Sequence, residues 1–90
     1  MKRLFAPEPL HIGETREIRI SDDLGTILSA EYITYDRQGE TVKPATPATI
    51  EAQTMKAGFE ATDTGIFSIR FIYEIGAEVY IAEVAVEVVA

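Results

Sequence analysis

DTGIFSIRFIYEIGAEVYIAEVAVEV, residues 63–88, holds two runs of alternating character separated by Gly76-Ala77. From Phe67 to Ile75 every odd position is large and apolar: Phe67, Ile69, Phe71, Tyr73 and Ile75. Ser68, Arg70 and Glu74 take even positions, together with Ile66 and Ile72. A period of two belongs to a strand with one buried face. Beyond Gly76-Ala77 the alternation resumes, with Tyr80, Ala82, Val84, Val86 and Val88 on one side and Glu83 and Glu87 on the other. A two-residue loop with glycine first suits a type II′ hairpin turn, because glycine accepts the positive φ needed there. That loop sets a register in which Tyr73 faces Tyr80, Phe71 faces Ala82, Ile69 faces Val84 and Phe67 faces Val86. Arg70 then faces Glu83 on the solvent side, an opposite-charge pair contributing roughly 0.2–1 kcal/mol.

Working outward from the hairpin, residues 62–65 (TDTG) form the turn that launches it. Residues 15–21, TREIRIS, set Arg16, Ile18 and Ile20 against Glu17 and Arg19, the pattern of a half-buried strand. Leu10-His11-Ile12 is a short strand before it, closed by Gly13-Glu14. Residues 21–25 (SDDLG) are a turn cluster. Residues 26–36, rich in β-branched and aromatic side chains, read as a further strand. Its facing stays open: Leu28, Ala30 and Tyr32 compete with Ile27, Ile33 and Tyr35 for the core. Asp36-Arg37-Gln38-Gly39 is a turn with Asp first and Gly last. A short strand over residues 40–43 follows, and Pro44 and Pro47 then mark an edge or a loop. Residues 48–61 read as two short strands, with a helix over 49–56 the competing reading; Gly58 and the β-branched residues disfavour the helix. Residues 1–9, with Pro7 and Pro9, read as a loose N-terminal arm to a domain spanning 10–90.

Ninety residues make one domain, and about seven short strands separated by regular turn signals indicate an all-β antiparallel sandwich ending in a C-terminal hairpin. The net charge of −7 argues against nucleic acid as a partner, since phosphate binding rests on clustered Lys and Arg. No cysteine is present, so packing and strand pairing hold the chain without disulfides or thiolate metal sites. No run is long enough for a signal peptide or a membrane span, and the expected location is the cytoplasm.

The chemistry-bearing residues point away from catalysis. His11 is the lone histidine and has no second imidazole for a metal site or an assisted nucleophile. Asp22-Asp23, with Asp63 or Glu51, is a candidate Ca²⁺ ligand set, although no loop has EF-hand spacing. Glu83 and Glu87 alternate along an outward face, unlike an acid–base pair in a pocket. No hydrolase, metalloprotease or phosphate-loop motif occurs, so neither an enzyme nor a cofactor is expected. The Tyr32/Tyr35 and Tyr73/Tyr80 pairs are candidates for a sugar-stacking platform or for cross-strand packing. Residues 37–49 are the longest irregular segment and the candidate contact surface, giving Tyr35, Arg37, Gln38, Lys43, Arg70 and Glu83 as the interaction residues.

Asp63-Thr64-Gly65-Ile66-Phe67-Ser68-Ile69 resembles the D-x-G-x-Y-x-C signature that opens strand F of immunoglobulin-like (Ig-like) domains, with Phe67 at the tyrosine and Ile69 at the cysteine. The tyrosine-corner hydrogen bond and the inter-sheet disulfide are therefore lost. Ile18 or Ile20 would pack at the partner cysteine position, and Leu28 or Tyr32 at the strand C tryptophan. The layout over residues 15–88 is similar to small cysteine-free Ig-like proteins encoded among phage structural genes. The D-x-x-G turn at Asp36–Gly39 and the G-x-[FY]-x-[IV]-x-[FY] strand at Gly65–Phe71 carry that similarity. It implies a non-enzymatic structural or assembly module: a minor head-tail or tail protein of the virion, working through contacts with itself or with other virion proteins. Symmetric self-association through an exposed terminal strand is part of that expectation. The competing expectation is a small carbohydrate- or Ca²⁺-binding module.

Overall fold

A computed structural model describes residues 2–90, and the terminal hairpin is its longest paired unit. Strands β8 (Gly65–Ile75) and β9 (Glu78–Val89) pair antiparallel in the register set by the two-residue loop, including Tyr73 with Tyr80, Phe67 with Val86 and Arg70 with Glu83. Gly76 has φ 61° and Ala77 has no positive φ, so the strained position falls on glycine alone, as a type II′ turn requires.

Seven further strands complete two sheets: β1 (Lys2–Phe5), β2 (Leu10–His11), β3 (Thr15–Ser21), β4 (Ile27–Tyr35), β5 (Thr41–Pro47), β6 (Thr49–Glu51) and β7 (Thr54–Glu60). The larger sheet runs β1-β9-β8-β4-β5, with β2 also pairing on β9; the smaller runs β3-β7-β6. With β9-β8-β4 facing β3-β7-β6, the arrangement is the G-F-C over B-E-D layout of an Ig-like sandwich. Its core interleaves both sheets: Ile18, Ile20, Met55, Ala57 and Phe59 from the small one, and Phe67, Ile69, Phe71, Val84, Val86 and Val88 from the large one. Phe59 and Phe67 meet at 5.6 Å between ring centroids, and Tyr32 and Phe71 at 6.2 Å. Each fully buried apolar side chain of this size contributes about 1.5–3 kcal/mol.

Several sequence expectations are corrected. The described residues form nine strands where about seven were expected. The arm over residues 1–9 is not loose throughout, because Lys2–Phe5 is a strand lying parallel to β9, Lys2 opposite Ala82 and Phe5 opposite Ala85. Pro7 and Pro9 fall in the link to β2, which also runs parallel to β9. The β9 edge, which would be exposed if unpaired, is thus covered along Ala82–Ala85 and Val88–Val89. Residues 37–49 are mostly strand and not irregular: β5 is an edge strand that tolerates Pro44 and Pro47 by shifting register twice against β4. Residues 48–61, by contrast, hold the two short strands expected there and no helix.

The ambiguous facing of residues 26–36 has a physical cause. Ile27 pairs with Ile75 and Ser29 with Glu74, so a bulge adds one residue to β4 at Leu28. Ile27 is buried before the bulge, while Tyr32 and Thr34 are buried after it, and Leu28 is expelled to solvent. Both competing sets were partly correct. Of the two candidates for the tryptophan position, Tyr32 fills the core.

Thr34 is 2% exposed, and its hydroxyl has no hydrogen-bond partner. An isolated buried hydroxyl costs about 1–3 kcal/mol of desolvation. Thr34→Val keeps the branched shape and removes that group, so urea denaturation should show a gain of about 1 kcal/mol.

Candidate protein-contact surface

The large sheet turns alternate residues of β8 and β9 outward, and their register assembles rows across the outer face. Arg70 donates to Glu83 Oε2 from Nε at 2.8 Å, and its Nη2 lies 2.6 Å from the same oxygen. Arg3, brought in by β1, places Nε 3.9 Å from Glu83 Oε1. On the other flank the Arg70 guanidinium lies 5.2 Å from the Tyr35 ring centroid, a cation–π contact. The Glu83 hydrogen bond raises the Arg70 pKa further, so the guanidinium stays charged at any physiological pH. Beside this charged row, Ile72 pairs with Ile81 across the strands, Val79 follows on β9, and Ile33 lies opposite Arg70. Val79 is 63% exposed and Ile81 39%, giving an apolar strip on the solvent face of a sheet where polar residues ordinarily stand.

The six sequence-named interaction residues fall in three places. Tyr35, Arg70 and Glu83 come together on the outer face. Arg37 and Gln38 occupy the tip of the β4–β5 turn, where Asp36 Oδ1 accepts from the backbone N–H groups of Gln38 and Glu40 at 2.9 Å each. There they line a cleft of about 400 Å³ with Asp63 and Ile66. Lys43 lies apart from both, donating to the Tyr32 hydroxyl at 2.7 Å and covering that ring at 4.9 Å. Ile72, Val79, Ile81 and Ile33 were missed. For Ile72, Val79 and Ile81 the signal was present in the even positions of β8 and the odd positions of β9, which carry apolar residues where strict alternation calls for polar ones.

The candidate ligand residues have structural partners. Tyr73 donates to Asp22 Oδ2 at 2.6 Å, and Asp22 Oδ1 accepts from Leu24 N at 2.9 Å. Tyr73 and Tyr80 stack on each other at 5.8 Å, and Tyr80 donates to Glu78. Tyr32 is buried, whereas Tyr35 meets Arg70 on the outer face, so that pair offers no shared platform. His11 is exposed, with Nδ1 3.4 Å from Glu14. Among the described residues, no group of three or more His, Cys, Asp or Glu side chains converges as a metal site. A cleft of about 540 Å³ nevertheless gathers Lys2, Asp22, Asp23, Tyr73 and Tyr80 at one end of the sandwich.

Burial and the hydrogen bond to Asp22 push the Tyr73 hydroxyl well above its usual range. The bonds from Tyr73 and Leu24, aided by Lys2, hold the Asp22 carboxyl below its own. A lowered carboxyl pKa stabilises the fold above the unfolded value of about 3.9, and that contribution is lost as pH falls through the folded value. Asp22→Asn should therefore be less stable than the parent protein at pH 7, with the gap closing below about pH 4. Urea titrations across that range measure it.

No protein-family model matches the chain, and no match was found among curated proteins or solved structures.

Proposed function

We propose that this protein is a non-enzymatic structural or assembly module, a minor component of a phage particle, acting through flat protein–protein contacts. The observation that carries this reading is the Ile72–Ile81–Val79 strip on the outer face, bordered by the Arg3–Glu83–Arg70 row. An apolar centre with a charged rim is the anatomy of a protein contact. The ion pairs pre-order the rim side chains, which lowers the entropy lost on docking. The similarity of residues 15–88 to small Ig-like proteins of phage structural genes supplies the particle as the setting. The test is co-sedimentation of the tagged protein with particles from the strain that carries its gene, washed at high salt. The protein should stay with the particles, and Ile81→Glu, a solvent-face change that spares the core, should release it. Confinement of the parent protein to the soluble fraction would overturn the reading.

A second reading, a small carbohydrate- or Ca²⁺-binding module, rests on the Asp22–Tyr80 cleft. A sugar or Ca²⁺ ion held there at a hundredfold excess over its Kd should add about 2.7 kcal/mol of stability, visible as a raised Tm. Silence across sugars and divalent cations removes it.

A further inference from the structure

Most strand edges of this sandwich are blunted. β5 carries Pro44 and Pro47 and two register shifts, β6 is three residues long, and β1 is four residues long with Pro7 soon after it. β9 is covered by β1 along Ala82–Ala85 and by β2 along Val88–Val89. Among the described residues, the one long edge free of proline and irregularity is β3, which pairs with β7 on one side only. An unprotected edge of this kind is a template for another strand.

The direction of its backbone groups follows from the bonds at its two ends. Asp22 N donates to Gln53 O at 3.0 Å, and Ala61 N donates to Glu14 O at 2.9 Å. Even-numbered residues therefore bond toward β7, and antiparallel alternation turns the N–H and C=O of Thr15, Glu17, Arg19 and Ser21 toward the free edge. Consistent with this, the Ser21 carbonyl accepts from the exposed Lys2 ammonium at 3.3 Å. The same odd residues place their side chains outward, and Glu17 and Arg19 already form an ion pair at 2.7 Å.

We infer that β3 is the dimerisation edge of this protein, pairing antiparallel with β3 of a second copy about a two-fold axis through Ile18. This register sets Glu17 opposite Arg19 of the second copy, Arg19 opposite Glu17, and Thr15 opposite Ser21, all as hydrogen-bonded pairs. The charges are self-complementary in this register and in neither neighbour. An axis through Glu17 would oppose Glu17 with itself, and one through Arg19 would oppose Arg19 with itself. An axis between residues would set odd positions against even ones and misalign the backbone donors. Beneath the edge, a groove of about 420 Å³ between β1 and β3 is lined by Leu4, Phe5, Pro7, Ile18 and Val84. Leu4 is 43% and Phe5 66% exposed. A two-fold axis normal to the small sheet would bring the two grooves face to face, with Leu4, which lies opposite buried Val84, turned into them. The pairing extends the small sheet to six strands and leaves the Ile72–Ile81 strip free, so it goes beyond the proposed particle contact.

The test is sedimentation equilibrium of the parent protein and charge variants over a range of concentrations, with circular dichroism confirming that each is folded. The parent protein should form a reversible dimer. Glu17→Arg and Arg19→Glu each convert two attractive cross-strand pairs into repulsive ones and should raise the dimer Kd about tenfold or more. The Glu17→Arg/Arg19→Glu double variant restores opposite charges in every pair and should recover the parent Kd. Ile81→Glu, on the other sheet, should leave the Kd unchanged. A parent protein that stays monomeric, a dimer indifferent to both single changes, or a double variant that fails to recover would each overturn the inference.

Discussion

The antiparallel pairing of β8 with β9 is the constraint on which the rest of the sandwich depends. It runs from Gly65–Val88 to Ile75–Glu78 without a register shift, so every odd residue of β8 meets an even residue of β9 on the same face. A slip of one residue would move Phe67, Ile69, Phe71 and Tyr73 from core to solvent, which is why the register tolerates no alternative. Gly76 holds it at one end through a backbone conformation that most residues resist. β4 then adds to β8, β1 and β2 add to β9, and the small sheet packs its Ile18, Met55 and Phe59 onto the resulting apolar floor.

The large sheet has two faces of different use. Its inner face is continuous with the core and carries no charge along β8 and β9 apart from Glu78, exposed beside the hairpin loop. Its outer face combines the Arg3–Glu83–Arg70 row with an isoleucine and valine strip, the surface proposed above for protein contact. Exposed ion pairs contribute little to stability individually. Here they hold Arg70 between Glu83 and the Tyr35 ring.

Edges are treated as unequally as faces. Proline and register shifts disable β5, brevity disables β6, and parallel strands cover part of β9, while β3 keeps a regular edge on which the Ser21 carbonyl is bonded to Lys2. An antiparallel sandwich of ninety residues has few ways to remove its edges. The dimer inferred above would place pairing at the one long edge left regular and charge-patterned.

What the sequence determined by itself was local. Period-two alternation in residues 15–21 and 67–88, together with the Gly76-Ala77 loop, gave strand identity, facing and the exact cross-strand partners of the hairpin. These depend only on neighbouring residues and turn geometry. Of the contact surface, the Arg70–Glu83 pair was legible for the same reason, because one hairpin contains both partners. Tertiary structure decided the rest. The bulge at Leu28 arises where β4 must match β8 and also bury Ile27, a demand that no residue of β4 expresses alone. The strand at Lys2–Phe5 forms because β9 offers it an edge, and the Tyr73–Asp22 bond joins groups fifty-one residues apart. The burial of Tyr32 and the separation of Lys43 from Arg70 likewise follow from which strands become neighbours. Alternation records what a strand prefers on each face; only packing chooses its neighbours.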